Sequence, residues 1–322
     1  MRELDLIIVG AGPAGLTGAL YAGRSMLKTV VLEKGVPGGE LLNTELIEDY
    51  PGFESVKGFE LAEKMAAHAF KFGAELVTDG VTSVEHEADG LFTVATETGE
   101  RYRAPAVLLT AGGTPTKLGV PGEVEYAGKG TSYCAVCDGH FFRGEVLGVV
   151  GGGDAAVEEA EFLTRYASKV WLIHRRHELR ASMILQQRLF RNPKIEVIWD
   201  SVVERIEGNG NGVTHLALKN TVTGASSALP VGGVFIFVGF RPNTGIVKGH
   251  VVHDASGHIV ANENMMSSVP GLFVAGDVRA QLTRQVTTAV GDATTAVIAA
   301  TRYLAERQAH REAGGAARRH AD

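Results

Sequence analysis

Two cysteines three positions apart carry the most distinctive chemistry of this sequence. Cys134 and Cys137 are the only cysteines among 322 residues, and Asp138-Gly139 follows them directly. A Cys-x-x-Cys pair is typical of half a zinc site, of a redox dithiol, or of a turn that holds two small residues. Zinc needs about four ligands, and the sequence has no second cysteine cluster to supply the others. A turn explains Asp138-Gly139 but not the spacing of the only two thiols, so a redox dithiol is favoured.

A glycine-rich nucleotide-binding fingerprint precedes the cysteines. Gly10-Ala11-Gly12-Pro13-Ala14-Gly15 follows an apolar strand at Leu4–Val9 and precedes a helix predicted over Leu16–Arg24 and a strand over Lys28–Glu33. In this βαβ context Gly10 permits the turn, Gly12 permits close approach of a pyrophosphate, and Gly15 permits helix–strand packing. The helix N-terminus binds phosphate, and Glu33 is placed to accept a ribose hydroxyl.

A second fingerprint follows the cysteines. Gly151-Gly152-Gly153-Asp154-Ala155-Ala156 lies between a strand at Val146–Val150 and a helix predicted over Val157–Tyr166, and Lys169–Ile173 is the next strand. This G-x-G-x-x-A motif repeats the first one 141 residues later. The chain therefore contains two dinucleotide-binding units rather than a tandem solenoid.

The residues at the end of the second strand differ between the two repeats. Where the first repeat has Glu33, the second has His174-Arg175-Arg176, and Arg180 is expected one helical turn further on. Arginine suits a 2′-phosphate, which a carboxylate would repel. The first fingerprint is therefore predicted to bind a nucleotide with a free ribose and the second to bind NADP. The alternative interpretation of these arginines is a solvated basic helix start.

Composition excludes several other classes of protein. The net charge of −6 and a pI near 6.0 indicate no general affinity for nucleic acid or membranes. No apolar run reaches the length of a membrane span, and Arg2-Glu3 leads into a strand without room for a signal peptide. Two cysteines in such a chain predict a cytoplasmic, reducing compartment, where a disulfide is transient and catalytic.

Two glycine-containing breakers divide the chain. One covers Ala111–Pro115 and the other covers Gly239–Asn243. They predict a domain over 115–243 that is inserted between 1–114 and 244–322. The tail from His310 to Asp322 is predicted to be frayed. The predicted fold is α/β, with two Rossmann-like three-layer nucleotide-binding domains, one inserted into the other.

In their order along the chain, these motifs resemble those of low-molecular-weight, bacterial-type thioredoxin reductases, which belong to class II of the pyridine nucleotide-disulfide oxidoreductases. The resemblance covers nearly the whole chain. It rests on Gly10–Gly15, Cys134–Gly139, Gly151–Ala156, His174–Arg176, Ala275-Gly276-Asp277 and Arg284-Gln285-Val286.

The resemblance implies FAD in the outer segments, NADPH in the central domain, thioredoxin as the protein substrate, and a homodimer. It implies that Cys137 faces the flavin, that Cys134 attacks the partner, and that Asp138 donates a proton, a role that needs burial to raise its pKa. The residues expected to bind FAD are Gly10, Gly12, Pro13, Ala14, Gly15, Glu33, Gly39, Glu40, Leu41, Asp49, Gly112, Gly276, Asp277, Arg284, Gln285 and Val286. Those expected to bind NADPH are Gly151, Gly153, Asp154, Ala155, Ala156, His174, Arg175, Arg176 and Arg180, and no metal is expected.

Three segments depart from the family pattern. Gly38-Gly39-Glu40 stands where Gly-Gly-Gln is usual, Asp49 stands where Asn is frequent, and the usual Ala-Thr-Gly-Ala reads Thr110-Ala111-Gly112-Gly113. An ionised carboxylate only accepts hydrogen bonds, whereas an amide also donates. A negative charge at Glu40 or Asp49 is therefore expected to disfavour an anionic reduced flavin, unless burial keeps the acid protonated.

Rival functions share parts of this pattern. A dithiol oxidase that acts on a small-molecule dithiol has the same architecture, but the intact second fingerprint and its arginines argue against it. A flavin-bearing sensor without turnover leaves the position of the Cys-x-x-Cys pair unexplained. A flavoprotein that reduces peroxiredoxin would need an extra N-terminal thioredoxin-like domain.

A candidate docking surface for thioredoxin lies beside the dithiol in the sequence. It consists of Lys129, His140, Phe141 and Phe142.

Overall fold

The protein is described by a computed structural model that covers residues 2–319, with side chains described to residue 310. Its contacts divide the chain into two compact units. Among the described residues, the first unit comprises 2–114 and 241–319, and the second comprises Pro115–Phe240. The second unit thus interrupts the first in sequence.

A five-stranded parallel sheet forms the centre of the first unit. Its strands lie in the spatial order Leu272–Val274, Ala106–Leu109, Leu6–Val9, Thr29–Glu33 and Glu75–Thr78. Leu6 and Ile8 pack on one side of this sheet against the helices, and Ile7 and Val9 pack on the other side. Because successive side chains of a strand point to opposite faces, this continuous apolar run supports layers on both faces.

The outer layers of the first unit are helical on one side and stranded on the other. The helices cover Pro13–Arg24, Gly58–Phe70 and Val286–Arg319, with 3₁₀ turns at Gly39–Asn43 and Gly276–Val278. A four-stranded sheet has the order Arg2–Glu3, Arg101–Ala104, Phe92–Thr96 and Val81–His86. The Phe92–Thr96 and Arg101–Ala104 strands of this sheet pair antiparallel as a hairpin around Gly99. A small antiparallel pair, Leu46–Ile47 and Val56–Lys57, completes the unit.

The second unit repeats the three-layer plan. Its parallel sheet has the order Thr131–Ser132, Gly233–Phe237, Val146–Gly151, Lys169–Ile173 and Ile195–Ile198. Helices at Ala135–Asp138, Asp154–Leu163 and Met183–Arg191 and a 3₁₀ turn at Gly139–Phe142 accompany it. An antiparallel sheet of Ser201–Gly208, Val213–Asn220 and Ser226–Pro230 packs on the other face. The two parallel sheets with their flanking layers confirm the predicted α/β class.

Element boundaries differ from the sequence-based prediction in three places. The two fingerprint helices begin at Pro13 and Asp154, three residues earlier than predicted, because the last three residues of each motif already belong to the first helical turn. Residues 174–182 are irregular, so Arg180 does not lie on a helix as predicted. The last helix extends to Arg319, residues 320–322 lie outside the described chain, and the predicted fraying of the tail stays a prediction.

The two breakers pair with each other where the chain passes from one unit to the next. Short strands at Gly113–Pro115 and Phe240–Pro242 pair with each other. Asn243 donates from its backbone N to Gly112 O at 3.0 Å and from Nδ2 to Ala111 O at 2.8 Å. Gly112 has φ of +58°, a conformation that favours glycine.

Within the described residues, no helix is long and apolar enough to span a membrane.

Candidate active site

The two cysteines form a disulfide in the second unit. Cys134 caps the short Ala135–Asp138 helix, and the Cys134 and Cys137 Cα atoms are 5.4 Å apart. The Cys137 backbone N lies 3.1 Å from Cys134 Sγ and donates to it. After reduction, an N–H donor at this distance stabilises a thiolate on Cys134 and so favours its nucleophilic form. Cys137 is exposed and Cys134 is half-buried.

Asp138 lies beside the disulfide and is tied to the residues before it. The Ser132 hydroxyl donates to Asp138 Oδ2 at 2.6 Å, and the Cys134 backbone N donates to Ser132 Oγ at 3.1 Å. Asp138 is half-buried, so the burial that its predicted role as an acid requires is only partial. Its position next to the cysteines nevertheless keeps a carboxyl within the dithiol loop.

The first fingerprint has the steric features that its glycines predict. Gly10 has φ of +98°, and a Cβ there would lie 2.6 Å from Thr110 O. A Cβ at Gly15 would lie 1.8 Å from Gly10 O. A Cβ at Gly12 would meet only Gly39 Cα, at 3.9 Å, so the space beside Gly12 is open. Pro13 and Ala14 follow in the first helical turn, where backbone N–H groups lack helical partners and favour an anion.

Glu33 binds the fingerprint loop directly. Its Oε2 accepts from Ala11 N at 2.7 Å and its Oε1 accepts from Gly35 N at 3.0 Å. Each carboxylate oxygen has a second lone pair. The carboxylate is therefore fixed at the end of its strand and can still accept from a ribose hydroxyl.

Further predicted FAD residues converge on this loop. A Cβ at Gly39 would lie 3.1 Å from Gly12 Cα, and one at Gly276 would lie 3.2 Å from Ala14 Cβ. Both glycines therefore pack against the fingerprint. Leu41 is buried, and Val286 packs on the cluster that contains it.

Three charged residues among the FAD candidates influence one another. Although Glu40 keeps an exposed surface, desolvation by the surrounding protein raises the pKa of its carboxyl, a bond from Asn43 opposes the shift, and Asp277 adds to it. Burial also raises the pKa of Asp277, against the effect of Arg284 and His258. The structure thus brings Asp277 into electrostatic range of both Glu40 and Arg284.

Other candidates are not joined to this group by any described contact. Asp49 is exposed. Gly112 lies in the breaker that Asn243 binds. The backbone N of Gln285 donates to Thr288 Oγ1 at 3.0 Å, just before the last helix begins. Roles for these three residues stay predictions.

The second fingerprint repeats the steric pattern of the first. A Cβ at Gly151 would lie 2.5 Å from both Ala156 Cβ and Phe237 O, whereas a Cβ at Gly153 would meet no atom within 4 Å. Asp154 and Ala155 begin the helix. Asp154 Oδ1 accepts from Ser182 N at 2.6 Å, which ties the helix start to the irregular segment after His174.

A cavity of about 340 Å³ lies beside this fingerprint within the second unit. His174, Arg175 and Arg180 line it, whereas Arg176 does not. Lys117 also lines the cavity. The sequence analysis missed this residue, because it lies close to the first breaker and far from the fingerprint in sequence. Glycine backbone and cationic side chains therefore both border the cavity.

His174 is engaged by the backbone rather than aimed freely into this cavity. It is buried, its Nδ1 lies 2.8 Å from Gly151 O and its Nε2 lies 2.9 Å from Glu178 O. The ring thus links the fingerprint to the segment that carries the arginines. Arg180 N donates to Gly152 O at 2.7 Å and fixes the same segment from its far end.

A network that the sequence did not reveal holds the Gly276-Asp277 turn. Asp292, on the last helix, accepts from Gly276 N at 3.1 Å and from Arg279 Nε at 3.0 Å. Arg279 also donates to Gln281, whose Nε2 donates to Gly276 O at 3.0 Å. A single acid in a helix rich in small residues gives no periodic signal, so spatial structure was needed to find it.

The candidate docking residues separate into exposed and packed groups. Phe141 is 73% exposed, and its ring centroid lies 3.9 Å from that of His140. Phe142 packs edge-on against Phe235 in the core of the second unit. Lys129 is exposed.

Among the residues that the structure describes, no group of three or more His, Cys, Asp or Glu side chains could hold a metal ion.

Known proteins match this chain over almost its whole length. The family model described as pyridine nucleotide-disulphide oxidoreductase matches residues 4–293. The thioredoxin reductase of Listeria monocytogenes is 48% identical over 313 residues, which are 97% of each chain. That of Bacillus subtilis is 46% identical, over 94% of this chain and 96% of its own. The crystal structure of Lactococcus lactis thioredoxin reductase superimposes with a TM-score of 0.92 at 43% identity, over 94% of this chain and 99% of its own.

Proposed function

The chain belongs to the pyridine nucleotide-disulphide oxidoreductase family and, within it, to the thioredoxin reductases, and we propose that it transfers electrons from NADPH through FAD and the Cys134–Cys137 disulfide to oxidised thioredoxin. The observation that carries this function is the position of that disulfide. It lies in the same unit as a cation-lined cavity beside a glycine fingerprint. Electrons enter from NADPH at the cavity and leave for thioredoxin at the disulfide.

The protein uses FAD and NADPH, and we assign FAD to the first unit and NADPH to the second. The open space beside Gly12, and the N–H groups at the helix start that follows it, fit a pyrophosphate. Glu33 would hold the ribose, and Asp277 would bind hydroxyl groups of the chain that leads to the flavin. When bound, FAD supplies the two-electron chemistry that connects hydride donation to disulfide reduction.

In the second unit, the charge of the side chains supports NADPH over NADH. Arg175, Arg180 and Lys117 line the cavity beside Gly151 and Gly152, and charge-assisted hydrogen bonds to a 2′-phosphate are the strong kind. Gly153 leaves room for the pyrophosphate, because a Cβ there would meet no atom within 4 Å. His174 holds this arrangement together without facing the ligand with a free nitrogen.

At the dithiol, the chain's own groups position the thiols and move a proton. Cys134, once reduced, attacks the thioredoxin disulfide as a thiolate that the Cys137 N–H stabilises. Cys137 then displaces the thioredoxin sulfur from Cys134, which restores the internal disulfide. Asp138, held by Ser132, is the nearby carboxyl that can pass a proton to the leaving thiolate.

We also propose a homodimer in the cytoplasm. The homodimer follows from the family resemblance. A disulfide that opens and closes in each cycle requires thiols that the surroundings keep reducible, which supports a reducing compartment. Sedimentation velocity of the FAD-loaded protein should give the mass of two chains, and a single-chain mass would overturn this part of the proposal.

Steady-state turnover tests the proposed function. NADPH oxidation should depend on added oxidised thioredoxin, and Cys134→Ser and Cys137→Ser should each abolish that dependence. NADPH oxidation that proceeds equally well with oxygen alone would contradict the proposed function. Oxygen-dependent conversion of a small-molecule dithiol to its disulfide, without NADPH, would assign the chain to the dithiol oxidases instead.

A further inference from the structure

A buried carboxylate lies behind the dithiol loop. Glu123 is 2% exposed, and an isolated buried carboxylate is costly unless it is hydrogen-bonded. Its Oε1 accepts from the Tyr133 hydroxyl at 2.6 Å and from Leu118 N at 2.8 Å, and its Oε2 accepts from Gly119 N at 2.7 Å. These bonds join the Leu118-Gly119 backbone to Tyr133, which follows later in the same stretch of chain.

The two joined segments lead to different parts of the active site. Tyr133 immediately precedes Cys134. Leu118 lines the cation-bordered cavity, together with Lys117. Glu123 thus connects the wall of the proposed NADPH cavity to the residue before the first cysteine, within one unit of the protein.

Protonation of the pair is fixed by its surroundings. Burial alone would raise the pKa of Glu123, but the bonds from Tyr133 and from the backbone N–H groups of Leu118, Gly119 and Val120 outweigh it and lower the pKa. Burial and the Glu123 carboxylate both raise the pKa of the Tyr133 hydroxyl. An ionised acceptor therefore faces a neutral donor, which gives a charge-assisted bond.

A second bond fixes the same loop from the other side. Ser132, which precedes Tyr133, donates to Asp138 Oδ2 at 2.6 Å. The two residues before Cys134 are therefore each held by a different carboxylate. We propose that Glu123 and Tyr133 are positioning residues for the Cys134–Cys137 dithiol. They fix the approach of Cys134 to its partner sulfur, while Glu123 independently holds the cavity wall.

This inference rests on the proposed relay, and Tyr133→Phe tests it with the least disturbance. The variant removes one hydroxyl and leaves the two backbone bonds of Glu123 intact. In the FAD-loaded enzyme, kcat with thioredoxin should fall about tenfold, which equals about 1.4 kcal/mol, while the KM for NADPH stays unchanged. In the reduced protein, the rate at which iodoacetamide alkylates Cys134 should fall in parallel with kcat.

Tyr126→Phe is the matched control, because Tyr126 packs in the same hydrophobic cluster of the second unit as Tyr133 and its hydroxyl is not among the donors to Glu123. It should leave both kcat and the rate of alkylation at the wild-type level.

Glu123→Gln replaces an acceptor oxygen by an NH₂ group. It should lower kcat with thioredoxin more than Tyr133→Phe does, and it should also raise the KM for NADPH.

Several results would overturn the positioning role. One is a Tyr133→Phe enzyme whose kcat and alkylation rate match those of Tyr126→Phe. Another is a loss explained by a lower melting temperature or a lower flavin content, which would make the pair a stabilising contact only. Because alkylation needs neither NADPH nor thioredoxin, it distinguishes failure of this inference from failure of the proposed function, which wild-type turnover tests.

Discussion

The two fingerprint units use the same backbone plan with opposite chemistry at one position. In both, the residue at the end of the second strand bonds back to its own glycine loop. In the first unit Glu33 accepts from Ala11 N at 2.7 Å, whereas in the second His174 Nδ1 faces Gly151 O at 2.8 Å. The first contact places an acceptor at the loop and the second places a ring nitrogen against a carbonyl.

This difference teaches that coenzyme choice can be separated from the phosphate cradle. Gly12 and Gly153 both leave the open space that a pyrophosphate needs. We expect the residues at and after the strand end to decide which ribose is accepted, through the Glu33 carboxylate in one unit and through Arg175 and Arg180 in the other. A variant can therefore alter coenzyme preference in one unit without touching the cradle of either.

The largest effect on this comparison is expected from Arg175→Ala combined with Arg180→Ala. Two charge-assisted contacts contribute about 1.5–3 kcal/mol each, so the preference for NADPH over NADH in kcat/KM should fall by roughly 10²- to 10⁴-fold. Because Arg176 does not line the cavity, Arg175→Ala combined with Arg176→Ala should lose less.

Arg176→Ala alone is the control for this prediction. It removes the same charge from the same segment and should leave most of the discrimination in place. If it removes as much preference as Arg175→Ala, the 2′-phosphate pocket differs from the one that the cavity defines.

The fold class and both fingerprints were predictable from sequence, because glycine spacing and apolar strands are local signals. The dithiol was predictable from the spacing of the two cysteines, which is also a local signal. The cavity lining was less predictable. Arg176 matched the motif but lies outside the lining, and Lys117 lies within it without any motif. Which side chains line a cavity depends on the irregular path of residues 174–182, which no periodicity encodes.

Pairs such as Glu123 with Tyr133 and Asp292 with Arg279 were also beyond sequence reasoning. Each joins segments through tertiary packing, and single buried acids carry no spacing pattern. Asp138 shows the converse. Its place in the motif was clear, but its half-burial could be read only from the structure.

Gly15→Ala sharpens the comparison on the side of stability. The new Cβ would lie 1.8 Å from Gly10 O, so the first unit should lose about 1–3 kcal/mol or more. The corresponding residue of the second fingerprint is already Ala156. Ala156→Gly should cost about 1 kcal/mol, through helix propensity. Chemical denaturation of both variants measures the difference, and equal losses would contradict the steric account of Gly15.

Phe141→Ala tests a property that only the second unit has, the exposed aromatic beside the dithiol. The KM for thioredoxin should rise about fivefold, equivalent to about 1 kcal/mol, with NADPH-driven flavin reduction unchanged. Phe142→Ala should instead lower the melting temperature, because Phe142 packs on Phe235. An unchanged KM in Phe141→Ala would place the docking surface elsewhere.

The smallest expected effect concerns the acid that distinguishes the first unit from its relatives' usual amide. Desolvation by the surrounding protein raises the pKa of Glu40 although the residue keeps an exposed surface, so the folded protein binds a proton that the unfolded chain releases at lower pH. Its contribution opposes folding increasingly as pH rises from the ordinary carboxyl range through the raised pKa. Glu40→Gln should therefore gain stability relative to wild type as pH increases.

Melting temperatures of the FAD-free protein between pH 4 and pH 8 measure this prediction for Glu40, and Asp49→Asn, which makes the same change from acid to amide, is the control. The difference between Glu40→Gln and wild type should grow with pH. A difference that shrinks with rising pH would show that the ionised carboxylate is the favoured form in the folded protein.

Stopped-flow absorbance of the FAD-loaded enzyme tests the central claim, that the dithiol of the second unit carries the electrons onward. NADPH should bleach the flavin under anaerobic conditions, and oxidised thioredoxin should then restore its absorbance far faster than oxygen alone does. Cys134→Ser should keep the bleaching and lose the restoration by thioredoxin. If thioredoxin restores the flavin of Cys134→Ser at the wild-type rate, the electrons bypass the dithiol and the account is wrong.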